Sequence, residues 1–197
     1  VAAGVTTSTK NYFQSTAVLT AFDTAYTAKT IQWAPYTGSG TTMIHSNGYA
    51  GGACLRWNSG KTTAVLEIEN DTEGDVYSAL KFRAPGTGKY KLTVDYTVLS
   101  SGDPDGTESG AYILEMPQSA YTGATLAATE AEGAAKATFA PGSIGSCDSG
   151  EETVPLVYGK EYIIVFYTKA DVARTRTNFT GFSLSFMEAY EPEDPTE

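Results

Sequence analysis

Histidine, cysteine and basic residues are scarce in this sequence, and each scarcity closes off a class of chemistry. With one histidine, His45, no polyhistidine metal site can form, and a Ser-His-Asp triad would have to run through it without a Gly-x-Ser-x-Gly elbow in support. The two cysteines, Cys54 and Cys147, lack neighbours at zinc-ligand spacing and are either one disulfide or two buried thiols. Lysine and arginine number 13 against 23 acidic residues, a net charge of −10 that repels phosphate backbones, and no basic run offsets it. That balance argues against nucleic acid as a partner. No apolar run approaches the roughly 20 residues that cross a bilayer, so no membrane span is expected. Segments with a period of 3.6 are almost absent as well, which leaves little room for helices.

What the sequence has in place of these is alternation. Residues 90–98 put Tyr90, Leu92, Val94, Tyr96 and Val98 on one face and Lys91, Thr93, Asp95 and Thr97 on the other, the pattern of a half-buried antiparallel strand. Residues 76–83 alternate in the same way, and turn chemistry at 84–89 predicts that the two join as a hairpin. Further strands are expected at 17–22, 55–57, 63–69, 111–116, 153–157, 162–168 and 179–187. The run 162–167 is apolar on both faces and belongs in the middle of a sheet. The last strand, with Phe182, Leu184 and Phe186 facing in and Ser183 and Ser185 out, is expected to close the sheet beside early strands. Residues 126–136 read either as one short helix or as an inserted loop, because Gly133 weakens an Ala- and Glu-rich stretch. The fold class that follows is all-β: a two-sheet antiparallel sandwich of jelly-roll type with at most one short helix. It forms a single domain over 1–190. The acidic, Pro-containing segment 191–197 reads as a linker to other modules of a longer parent chain, and the start at Val1 agrees with that. With only 18% charged residues, the chain looks extracellular, either cell-surface attached or secreted.

Three segments carry a family resemblance. Phe82-Arg83-Ala84-Pro85-Gly86-Thr87-Gly88-Lys89-Tyr90-Lys91-Leu92 resembles a hairpin common in jelly-roll carbohydrate-binding modules of bacterial glycan-degrading proteins. Val154-Pro155-Leu156-Val157-Tyr158-Gly159-Lys160-Glu161-Tyr162 is similar to a second hairpin of such modules, and Gly181-Phe182-Ser183-Leu184-Ser185-Phe186 to their closing strand. The resemblance implies one module of a multimodular surface protein of a gut Firmicute, a group in which starch-binding modules are prominent. It also implies a structural calcium ion. Asp103 and Asp105, at alternate positions ahead of Gly106, are the candidate ligands, although the loop lacks the further acid of EF-hand spacing.

Sugar recognition needs flat rings for the C–H faces of pyranoses and planar polar groups for paired hydroxyls. Residues 26–61 supply both. Trp33, Tyr36, Tyr49 and Trp57 are the candidate rings, and His45, Asn47, Arg56 and Asn58 the candidate polar contacts. Against this, either tryptophan could be a core residue of the sandwich, and Trp57 alternates with Leu55, which prefers the core. Tyr90, Tyr96 and Tyr112 read as core, Tyr77 as decorating an open sheet face, and Tyr121 and Tyr158 as loop residues. A glycosidase needs two carboxylates across a cleft, whereas the acids here concentrate in turns and in the tail; Glu67, Asp95 and Glu115 are the exceptions on strands. The sequence therefore favours a non-catalytic module that binds a polysaccharide, starch or another α-glucan first. The alternative is a structural or protein-binding adhesion module.

Overall fold

The computed structural model of the chain describes residues 43–45, 53–57, 64–69, 76–84, 86–100, 108–115, 126, 128–139, 144–169 and 176–193; in 43–45 and 53–57 it describes the backbone. The strands are β1 (Met43–His45), β2 (Ala53–Trp57), β3 (Ala64–Glu69), β4 (Val76–Arg83), β5 (Gly88–Ser100) and β6 (Glu108–Glu115). They continue with β7 (Ala134–Phe139), β8 (Ile144–Asp148), β9 (Val154–Leu156), β10 (Glu161–Lys169) and β11 (Arg176–Glu188). They form two antiparallel sheets, a five-stranded one in the order β1-β4-β10-β6-β7 and a six-stranded one in the order β2-β3-β11-β5-β8, with β9 also on β5. This is the β-sandwich of jelly-roll type that the alternation predicts. Among the described residues no helix is long and apolar enough to cross a membrane.

The core between the sheets is built from the alternate positions of each strand. Leu66, Ile68, Leu92, Val94, Ile164, Phe166, Phe179, Phe182 and Leu184 are all fully buried there. Tyr90 and Tyr96 join them as expected, Tyr96 stacking on Phe139 with centroids 3.6 Å apart. The strand β10 is central, as its two apolar faces require: Tyr162, Ile164 and Phe166 face the other sheet, while Ile163, Val165 and Tyr167 belong to a second buried cluster on the opposite face. One polar knot interrupts the apolar layer. Ser109 of β6 donates to Thr168 of β10 at 3.1 Å and shares a 3.2 Å bond with Thr177 of β11, while Thr168 bonds Thr177 at 3.4 Å. All three residues are buried, and the knot ties one sheet to the other.

Several expectations are corrected. The segments 76–83 and 90–98 are strands but not a hairpin: β4 lies in the five-stranded sheet and β5 in the six-stranded one, so residues 84–87 turn a corner between sheets. The Tyr90 hydroxyl pins that corner by donating to the Gly86 carbonyl at 3.1 Å. The same holds for β9 and β10, because β9 pairs with β5 while β10 pairs with β4 and β6. Alternation reveals which face of a strand is apolar, and a corner satisfies it as well as a hairpin does. The last strand β11 does lie beside an early strand, β3, as expected, but in the interior of its sheet, between β3 and β5. The helical reading of 126–136 holds for its first part, where Leu126 and Ala128 are helical and a 3-10 turn follows at Glu130–Glu132, but gives way from Ala134 to β7, which pairs with β6 and overrides the propensity of alanine. Two strands have no counterpart in the sequence reading beside β7: β1, inside the ring-rich segment 26–61, and β8. The expected strand at 17–22 lies outside the described residues.

The cysteines are settled by strand order. Cys54 lies on β2 and Cys147 on β8, the opposite edges of one sheet, so four strand spacings of about 4.8 Å separate them by roughly 19 Å. A disulfide needs Cα atoms within about 7 Å, and Cys147 is a free thiol. Burial first, and then the charges of Asp148 and Asp95, push this thiol up to about 11. At pH 8 about one Cys147 in a thousand is therefore a thiolate, which is the reactive form. The expected outcome is that Cys147 in the native protein resists iodoacetamide at pH 8, that unfolding in urea exposes it, and that dithiothreitol leaves the melting temperature unchanged. Mass spectrometry of the alkylated peptides and a thermal scan check both.

Candidate functional site

Of the eight residues expected to bind ligand, three lie on described strands. His45 ends β1, where it pairs with Ser78, and Arg56 and Trp57 lie on β2, where they pair with Val65 and Ala64. Trp57 follows two residues after Leu55, whose partner Leu66 is fully buried between the sheets. Trp33, Tyr36, Asn47, Tyr49 and Asn58 lie outside the described residues, as do the candidate calcium ligands Asp103 and Asp105. The structure does relate the two strands. The edge of the five-stranded sheet is β1, the edge of the six-stranded sheet is β2, and the two edges meet on the same flank of the sandwich. Among the described residues no three His, Cys, Asp or Glu side chains converge to hold a metal ion.

A denser polar constellation lies where sequence reasoning did not look, on the outer face of the five-stranded sheet. Tyr77 of β4, Tyr167 of β10 and Tyr112 of β6 pave this face, all buried, and Leu126 packs against them. Tyr112 was expected in the core between the sheets; it lies on the opposite side from Ile113, because β6 is buried on both faces. Tyr77 is on the expected outer face, but that face is closed rather than open. The Tyr112 hydroxyl donates to the Leu126 carbonyl at 2.8 Å. Gly133 lies flush on the Tyr112 ring, since any side chain there would enter it.

Glu130, from the 3-10 turn, locks the cover in place. One carboxylate oxygen accepts from Lys136 at 2.7 Å and Lys169 at 2.6 Å, and the other accepts from Tyr77 at 2.9 Å. Both ammonium groups also sit over the Tyr167 ring, 5.3 and 5.4 Å from its centroid, while its hydroxyl donates to Glu108 at 2.7 Å. A bulge in β7 aims Lys136: the strand gains a residue opposite β6, and Ala135 takes a left-handed φ of 52°. The Lys136 N–H consequently leaves the ladder and donates to Glu152 at 2.9 Å.

No protein-family model matches this sequence, and no curated protein matches it. Solved structures do. The CBM61 module TmCBM61, solved with β-1,4-galactotriose, is 8% identical, covering 90% of this chain and 99% of its own, with a TM-score of 0.45. The xylan-binding domain of CBM22 is 9% identical, covering 79% and 93%, with a TM-score of 0.44. An arabinose-bound α-L-arabinofuranosidase, MgGH51, is 13% identical over 79% of this chain and 25% of its own, with a TM-score of 0.43. The fold assignment rests on the strand pairing described above.

Chemically, the outer-face constellation holds rather than reacts. Burial would raise the Glu130 carboxyl, but hydrogen bonds from Lys136, Lys169 and Tyr77, together with the Lys136 charge, hold it below the usual carboxylate range. A glycosidase general acid needs the reverse, a carboxyl kept protonated near neutral pH. Tyr167 is raised by burial first and by Glu108 second, and stays a neutral phenol. The lowered Glu130 has a signed consequence. Its contribution to stability is complete above the unfolded carboxyl value, about 4.3, and disappears as pH falls through the lower folded value. The unfolding free energy, measured by urea titration from pH 6 down to pH 2.5, is expected to fall more steeply for wild type than for Glu130→Gln. Equal slopes would remove Glu130 as the acid-sensitive group.

Proposed function

We propose that this chain is a non-catalytic carbohydrate-binding module of an extracellular, multimodular protein, and that it takes a polysaccharide, starch or another α-glucan first, through residues 26–61. The observation that carries the reading is the meeting of β1, which holds His45, and β2, which holds Arg56 and Trp57, on one flank. Trp33, Tyr36 and Tyr49 would stack on pyranose faces while His45, Asn47, Arg56 and Asn58 bond hydroxyls. A curved α-glucan suits a pair of rings set at an angle, whereas cellulose suits a flat row, and Pro35 and Gly38 beside Trp33 and Tyr36 favour the former. The net charge of −10 disfavours polyanions as ligands.

Affinity electrophoresis in gels of amylopectin, xylan, galactan and β-glucan tests this. Retarded migration in amylopectin is the expected result; free migration in all four would remove the reading. Trp33→Ala is expected to weaken binding by about 1–3 kcal/mol, the scale of an aromatic stack, and to leave the melting temperature near that of wild type. A collapse of stability would instead make Trp33 a core residue and favour the adhesion or spacer reading, to which the sealed tyrosine face lends support.

A further inference from the structure

Two of the corners at which the chain crosses between sheets, β4 to β5 and β9 to β10, meet at one tip of the sandwich, and an exposed tyrosine stands there. Tyr158 is 68% exposed, against near-complete burial of Tyr77, Tyr90, Tyr112 and Tyr167. One exposed ring is ordinary on a protein surface. This one stands on a braced turn. The Lys160 N–H donates to the Val157 carbonyl at 3.0 Å, the Gly159 N–H to the Ala84 carbonyl at 3.2 Å, and the Ala84 N–H to the Lys160 carbonyl at 3.0 Å. The Tyr158 N–H donates to Thr87 Oγ1 at 3.0 Å, and Gly159 supplies the left-handed φ of 75° that the turn needs. The ring is thus presented on a fixed backbone, the condition for stacking at low entropic cost.

A second observation concerns a hydroxyl bonded to the same turn. Tyr162 is only 4% exposed, and its hydroxyl accepts from the Val157 N–H at 3.0 Å. Among the described residues nothing accepts the proton of that hydroxyl, and burial keeps the phenol neutral, so it remains a donor. Around the turn the charges are already paired, Lys160 with Glu115 and Arg83 with Glu161 at 3.3 Å. A charged ligand would have to break those pairs, whereas a neutral polyol would leave them intact.

We propose that this tip is a second carbohydrate contact, with Tyr158 as the platform for one pyranose of a neutral glycan and the Tyr162 hydroxyl and Arg83 guanidinium as polar partners. The inference rests on the glycan-binding reading above and adds a contact to it, at the end of the sandwich toward which β2 runs from Cys54 to Trp57. Two contacts on one chain act together through effective concentration.

The test compares wild type, Tyr158→Ala and Tyr158→Phe, each as the full chain, by affinity electrophoresis in the four glycan gels. In the gel that retards wild type, Tyr158→Ala is expected to bind about tenfold more weakly at an unchanged melting temperature, on the scale of one lost stack. Tyr158→Phe is expected to bind as wild type, since the ring does the stacking. Wild type retarded and Tyr158→Ala equally retarded would overturn the tip contact and leave the first reading standing. Wild type running free in every gel would overturn both.

Discussion

Phe166→Ala is expected to destabilise the protein by about 3–5 kcal/mol, the cost of removing a large ring from a core that can only partly collapse. Phe166 is fully buried on β10, with its ring 4.9 Å from that of Phe179 and 6.1 Å from that of Phe182, both on β11 of the other sheet. The substitution therefore removes the ring that joins the centres of the two sheets. Urea titration followed by far-ultraviolet circular dichroism measures it. A loss under about 1 kcal/mol would place Phe166 at a site able to refill, in conflict with its burial.

Gly110→Ala acts on the opposite face of the same sheet. A methyl group at Gly110 would run into the carbonyl oxygen of Ala137 on β7 and would stand 2.8 Å from the Tyr167 hydroxyl. The first neighbour is backbone and cannot swing aside. The second is the hydroxyl that donates to Glu108 at 2.7 Å. The expected cost is about 3 kcal/mol, at the upper end of the range for overpacking. The near-ultraviolet signal of the tyrosines should change with it, because Tyr167 must leave its place beneath Lys136 and Lys169. An unchanged tyrosine spectrum with a large loss of stability would locate the damage in the β6–β7 ladder alone.

How much of this was legible beforehand depended on the range over which each feature is decided. The strands β4, β5, β10 and β11 announce themselves because alternation is local and their inward residues are large. The hydrophobic continuity of 162–167 even reveals that β10 is covered twice. The strands β7 and β8 have no such signature. Ala134-Ala135-Lys136-Ala137 favours a helix by propensity, and Ile144-Gly145-Ser146-Cys147-Asp148 carries almost no apolar pattern, so both exist through pairing with β6 and β5. Neighbourhood was the part that pattern could not supply. The turn chemistry at 84–87 fits a hairpin, and only the sheet order shows a corner. The Glu130 cluster was invisible for the same reason: Tyr77, Glu130 and Lys169 come from three elements, 53 and 39 residues apart in the chain. A faint signal did exist in Gly110 and Gly133, small residues beside tyrosines that need flat space. For residues 26–61, the strand order adds to the sequence a common flank for β1 and β2, and Trp33 keeps the two readings its neighbours allow.

The hydroxyl knot of Ser109, Thr168 and Thr177 carries a mechanical consequence. Apolar layers resist separation, yet they yield by degrees when one is slid along the other, since each methyl group that loses a neighbour finds the next. Three mutually bonded hydroxyls have no such intermediate stops and must let go together. A force that pulls the two sheets past one another would thus meet its stiffest resistance at that end of the sandwich.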